Sequence, residues 1–134
     1  MIGDGRLTLP PYAGFLGVTA GRDDTGAPLF KLSFSDVVVG RPGFLHGGAI
    51  AGLLEIAAIG TVLDALADEP GTSAKPITVT VDFMRGGRPR DTFAAAKVTR
   101  LGARIANVEA FAWQDDRDKP IAGARMNVML RRSG

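Results

Sequence analysis

The 134-residue chain has no cysteine, one histidine, one tryptophan and one tyrosine. The missing thiols exclude disulfide frameworks, thiolate metal sites and cysteine nucleophiles together. With His46 as the only imidazole, a zinc site would have to be built mostly from carboxylates, so no metal and no other cofactor is expected. Excess charge is scarce too: sixteen Lys and Arg against fourteen Asp and Glu leave +2, which does not ask for nucleic acid. One Trp and one Tyr make no aromatic and basic stripe on which bases would stack. The N-terminus, MIGDGRLTLPPYAG, lacks the apolar core and cleavage pattern of a secretory signal, and a cytoplasmic protein is the expectation.

What is present reads as one globular domain over residues 1–134, with 46% apolar and 22% charged residues. The Pro- and Gly-rich residues 1–13 read as an arm. The apolar stretch from Gly43 to Leu66 is long enough to suggest a membrane span. It is interrupted by Glu55 and four glycines and lacks flanking basic and aromatic anchors, so a buried core helix is expected and no membrane. Between His46 and Leu63, Glu55 is the only formally charged side chain, set among Ala, Ile, Leu and Gly. A charge in that company is costly unless it is exposed, paired or needed.

Periodicity gives one convincing helix, Ala49 to Ala67, stopped by Pro70-Gly71 and apolar nearly all round. Strands are predicted at Phe15 to Ala20, Leu29 to Phe34, Ile77 to Met84, Thr92 to Leu101, Arg104 to Gln114 and Ile121 to Leu130. In Ile77 to Met84, alternation sets Ile77, Val79, Val81 and Phe83 on one face and Thr78, Thr80, Asp82 and Met84 on the other. Strands clustered after one central helix predict an α+β fold, an antiparallel sheet with the helix packed on one face.

Glu55's helical neighbours are Ala51, Gly52, Ala58 and Ile59, mostly small, which leaves room for a ligand or another chain. The plainer alternative is a helix face that meets solvent. His46-Gly47-Gly48 stands directly before the helix, where bare N–H groups at the positive end would stabilise an oxyanion or a polarised carbonyl. Its plainer alternative is an ordinary N-terminal turn capped by His46. Glu55 lies eight residues beyond Gly47, roughly 12 Å along a helix rising about 1.5 Å per residue. That is too far for both groups of one chain to act on one atom, and the pair makes chemical sense where two chains meet. A homodimer is expected on this ground.

The stretch Gly43-x-x-His46-Gly47-Gly48, followed by an acid nine residues after the histidine, resembles the hotdog-fold acyl-CoA thioesterases of the phenylacetate-degradation type. The downstream run TVTVDFMRGGRPRDTFAAAKVTRLGARIANVEAFAWQDDRDKPIAGARMNVML is similar to the same family in its order of strands and turns. The likeness extends from about Gly14 to Leu130. It implies a curved antiparallel sheet of five to six strands wrapped around one long central helix, in dimers that often pair into tetramers. It implies hydrolysis of acyl-coenzyme A, with coenzyme A as part of the substrate. By the same resemblance Glu55 is the general base or nucleophile, the Gly47 N–H of the other subunit polarises the thioester carbonyl, His46 positions that loop or touches the substrate, and Gly48 belongs to the substrate-binding turn. Many relatives carry Thr or Ser just after the acid or one turn later. Here Ile56 and Ile59 occupy those places, and Thr78, Thr80 and Asp82 are the substitutes to consider.

Six cations lie between Asp82 and Arg104: Arg85, Arg88, Arg90, Lys97, Arg100 and Arg104. Arginine suits phosphate by forked hydrogen bonds, so the five arginines are candidates for the phosphates of coenzyme A, with solvated turn residues as the alternative. Lys97 is placed on a sheet face that lines a channel. An aryl- or medium-chain acyl-CoA thioesterase is the first reading. A non-catalytic acyl-CoA-binding protein of the same fold, a sensor or scaffold, is the alternative, and it gives no reason for a carboxylate at position 55.

Overall fold

The computed structural model describes residues 7–132. The chain opens with a short helix, α1 (Pro11–Leu16). Pro11 opens it at little cost because its missing N–H would have had no partner there, and Gly17 closes it at φ 86°. Of the expected arm, residues 1–6 lie outside the described residues. Pro11–Leu16 departs from that expectation, because Ala13 and Leu16 bury themselves in the core.

Two strands follow, β1 (Val18–Arg22) and β2 (Pro28–Leu32), and then a single 3-10 turn at Asp36–Val38. The long helix α2 (Gly47–Ala65) comes next. Four more strands complete the chain: β3 (Ser73–Phe83), β4 (Thr92–Leu101), β5 (Ile105–Trp113) and β6 (Ala122–Arg131). They form one antiparallel sheet in the order β1-β2-β4-β5-β6-β3. Bulges in β3 near Pro76 and in β4 between Val98 and Arg100 bend the sheet around α2. Pro76 has no N–H to give the ladder, which is why the register shifts there. The resulting six-stranded curved sheet around one helix is the fold that the resemblance implied.

α2 packs against β2 to β6. The face of the sheet that receives it is rich in alanine (Ala94, Ala110, Ala112, Ala122 and Ala124, all buried), which lets a thick helix lie close. Phe30, fully buried, fits against the helix at Gly60, where no side chain intervenes. The helix is long and apolar enough to cross a membrane by length and composition. Here the sheet covers one side of it, burying Leu53, Leu54, Ala57 and Val62 completely or nearly so.

The expected two faces of β3 are not divided into buried and exposed. Apart from partly buried Ala74 and Val81, every residue of the strand is exposed, with Ile77 at 55% and Phe83 at 56%. β3 is an outer strand, paired with β6 along one side, and its other side has no strand partner among the described residues.

Candidate active site

The loop before α2 is tied down on both sides. His46 N–H donates to the Val38 carbonyl at 2.8 Å and Leu45 N–H to the Gly87 carbonyl at 2.9 Å. Gly43 takes φ 85° to turn the chain. His46 is the N-cap residue of α2, and its Nδ1 accepts the Gly48 N–H at 2.8 Å. The plain capping reading of His46 therefore holds, and in this arrangement the ring's proton resides on Nε2. The cap distinguishes the two glycines. The Gly48 N–H is occupied by the imidazole, whereas the Gly47 N–H has no acceptor among the described residues. It stands at the positive end of a five-turn helix, available to an oxyanion. The Phe83 ring flanks it, 3.4 Å from where a Gly47 side chain would begin.

Glu55 is exposed, and its carboxylate has no hydrogen-bond or ion-pair partner among the described residues. It opens into a cavity of about 470 Å³, within the range of small-molecule sites. Around it stand Leu9, Tyr12, Ile56, Ile59 and Leu63, and the Thr8 hydroxyl adds a little polarity. The expectation of room beside the acid holds at Gly52, which also lines the cavity. It fails at Ala58, which is turned into the core. Thr78, Thr80 and Asp82, the candidates for a substitute hydroxyl, do not line this cavity, and Thr61 is buried in the helix. So the acid has no hydroxyl beside it from α2 or β3.

The five arginines fall into two groups. Arg85, Arg88 and Arg90 share a shallow depression with Lys119 and Gln114 at the end of the sheet near the helix start. Arg90 is engaged there by Asp115 at 2.8 Å. Arg88 lies over the Phe44 ring at 4.7 Å, and Arg41 covers the same ring at 3.9 Å. Arg100 and Arg104 stand at the β4–β5 turn, across the length of β4. Ten residues of strand at about 3.3 Å each make that roughly 30 Å, so one chain does not bring both groups to one phosphate. Lys97 is a correction: it stands on the sheet face turned away from α2, in register with Glu109.

Two parts of this region escape a reading of local charge and glycine. One is the wall made by residues 8–12. Its signal was present in Pro10-Pro11 followed by Tyr12-x-x-Phe15 and Gly17, a start, a helical spacing and a stop. The other is Arg41, which lies over the Phe44 ring that Arg88 also covers, two cations brought to one ring only when the loops fold.

The geometry can be set beside known proteins. A family model for the acyl-CoA thioesterase N-terminal domain matches residues 39–129, which include the helix start and Glu55. A crystal structure from Chromobacterium violaceum shares 35% identity over 90% of this chain and 83% of its own, with a TM-score of 0.72. A phenylacetic acid degradation-related protein from Ralstonia eutropha superimposes with a TM-score of 0.80 at 24% identity, covering 91% of each chain. A Bacillus halodurans protein solved with CoA has a TM-score of 0.83 at 22% identity, covering 99% of this chain and 90% of its own. Among curated proteins, none matches the chain.

Proposed function

The chain belongs to the acyl-CoA thioesterase N-terminal domain family, and on that premise we propose that it hydrolyses the thioester of an aryl- or medium-chain acyl-CoA. The observation that carries this reading is the Glu55 carboxylate, without a partner among the described residues, opening into an apolar cavity. A solvated structural glutamate has no use for such a wall, whereas an acyl group does. The CoA bound by the Bacillus halodurans neighbour supports the same ligand class.

In this reading Glu55 takes a proton from water as the water oxygen attacks the thioester carbonyl carbon. The negative charge that develops on the carbonyl oxygen is met by the Gly47 N–H of a second copy. The C–S bond then breaks, releasing coenzyme A as a thiolate that is protonated by solvent. The alternative course, attack by Glu55 itself, passes through a mixed anhydride that water then opens. A general base contributes about 10² to 10⁴ in rate and an oxyanion donor about 10² to 10³. The second copy joins through the open edge of β3. A long edge strand with apolar residues invites such pairing, and antiparallel β3 edges bring the helix start of one chain toward the acid of the other. At that junction Arg88 and Arg85, which form no ion pair among the described residues although Asp115 and Asp116 line the same depression, serve the phosphates of coenzyme A better than Arg90, which Asp115 engages.

Free-thiol release is measured with benzoyl-, phenylacetyl-, hexanoyl-, octanoyl- and decanoyl-CoA for wild type and Glu55→Gln. The expected result is turnover of at least one substrate and a loss of about a hundredfold or more in the folded variant. A wild type that turns over none of them, or a variant as active as wild type, overturns the assignment. Single turnover in heavy-oxygen water, run beside trapping with hydroxylamine, separates the two courses: label on Glu55 or a hydroxamate from an opened anhydride marks attack by the carboxylate, and label in the product acid with neither of these marks the base.

A further inference from the structure

The helix itself offers the acid no hydroxyl: Ile56 and Ile59 follow Glu55, and the only hydroxyl on α2, Thr61, is buried. A different hydroxyl reaches the same place from α1. Tyr12 lies across α2 at Gly52, with Cε2 at 3.3 Å and the phenol oxygen at 3.7 Å from where a Gly52 Cβ would stand. Gly52 precedes Glu55 by three residues, so the two positions are neighbours on one helix face. Tyr12, Gly52 and Glu55 all line the same cavity.

The ring is held in place. It stacks on Phe15 at 6.0 Å with planes 20° apart. The helix beneath it is anchored by buried Ala13 and Leu16. The Leu16 side chain itself packs at Gly52, with Cδ1 2.9 Å from the Cβ position. Any side chain at 52 would push α1 outward and take the phenol with it. The glycine therefore sets the depth at which Tyr12 docks.

We propose that the Tyr12 hydroxyl holds the attacking water against Glu55. The inference rests on the thioesterase reading above and on its general-base course. Gly52, against which the phenol docks, and Glu55 are three residues apart, about 4.5 Å along the helix. Tyr12 and Glu55 line one cavity, where a single water joins phenol and carboxylate by two hydrogen bonds of roughly 2.8 Å each. One water proton is donated to the phenol oxygen and the other passes to Glu55. The water's lone pair is left facing the carbonyl carbon. The phenol keeps its own proton throughout, so Tyr12 positions the water and takes no part in proton balance.

The test compares wild type, Tyr12→Phe, Glu55→Gln and the double variant Tyr12→Phe/Ile59→Thr on the fastest substrate of the panel above. Tyr12→Phe keeps the ring, its stacking and its contact with Gly52, and removes only the hydroxyl. Expected is a fall in kcat of about tenfold or more with KM within about twofold and an unchanged melting temperature, as loss of a positioning contact in the transition state requires. The double variant, which restores a hydroxyl one turn beyond the acid, recovers part of kcat. An unchanged kcat in Tyr12→Phe, or a rise in KM alone, overturns the proposal. If Glu55→Gln is inactive at the same time, the site reading survives that failure. If Glu55→Gln is fully active, the site reading fails as well.

Discussion

Gly60 and Gly52 lie on the same helix and respond differently to an added methyl group. Helix propensity alone favours alanine at both by about 1 kcal/mol. At Gly60 the new Cβ would stand 2.8 Å from Cζ of Phe30, a ring with no exposed surface and nowhere to move. Overpacking of that kind costs about 1–3 kcal/mol, so Gly60→Ala is expected to lower the melting temperature by a few degrees in a thermal unfolding scan. At Gly52 the neighbours are the tip of Leu16 and the edge of Tyr12, both on a short helix that can yield. Gly52→Ala is expected to leave the melting temperature level or higher while thiol release falls. One family of variants thus separates packing from positioning.

At the scale of elements, the junction between β2 and β4 depends on one carboxylate. Asp91 accepts the Phe34 N–H at 2.8 Å and pairs with Lys31 at 3.4 Å. That backbone hydrogen bond, with the help of Lys31, holds its carboxyl below the usual value of about 3.9. A lowered folded value means that the unfolded chain binds the proton more readily. The contribution is complete above the ordinary carboxylate range and is lost as pH falls through it and on through the lower folded value. Melting temperatures of wild type and Asp91→Asn should therefore differ near neutrality and converge as the solution is acidified.

The same scale shows what could be read without coordinates. β4 was legible to the residue, and α2 to within two, because ten or more residues of unbroken pattern average out local noise. β3 was legible as a strand with an apolar and a polar face, yet a single chain buries neither. Apolar residues at an outer strand record contacts made elsewhere, and periodicity cannot say with whom. α1 was missed because six residues are too few for a helical period to stand out. The acid and the glycines at the helix start were visible as a charge and a tight turn in an apolar run. Which glycine keeps a free N–H was not, because that is decided by the rotamer of His46.

The whole molecule raises the question of which chain supplies which group. Gly47 occupies the first helical position, where proline is well tolerated, and His46 before it is already extended at ψ 135°. Gly47→Pro thus deletes the proposed oxyanion donor with little disturbance of the helix, and thiol release should fall about 10² to 10³. Unfolding and refolding it together with Glu55→Gln offers a sharper check. In a two-fold dimer that shares its sites, half of the dimers are hybrids and each has one intact site, so about a quarter of wild-type activity should return. If both groups served one site within a chain, mixing would restore nothing.

The cavity is assembled from two stretches of different standing. The acid and the helix start fall within residues 39–129, the part held in common with the family, whereas the wall at residues 8–12 lies outside it. That wall is attached by a six-residue helix and takes no part in the sheet. One side of the proposed acyl pocket is thereby written in a length of chain apart from Glu55 and Gly47. Exchange of the residues around Tyr12 can retune selectivity as one changes a die in a press, provided that the phenol proposed to hold the water is kept.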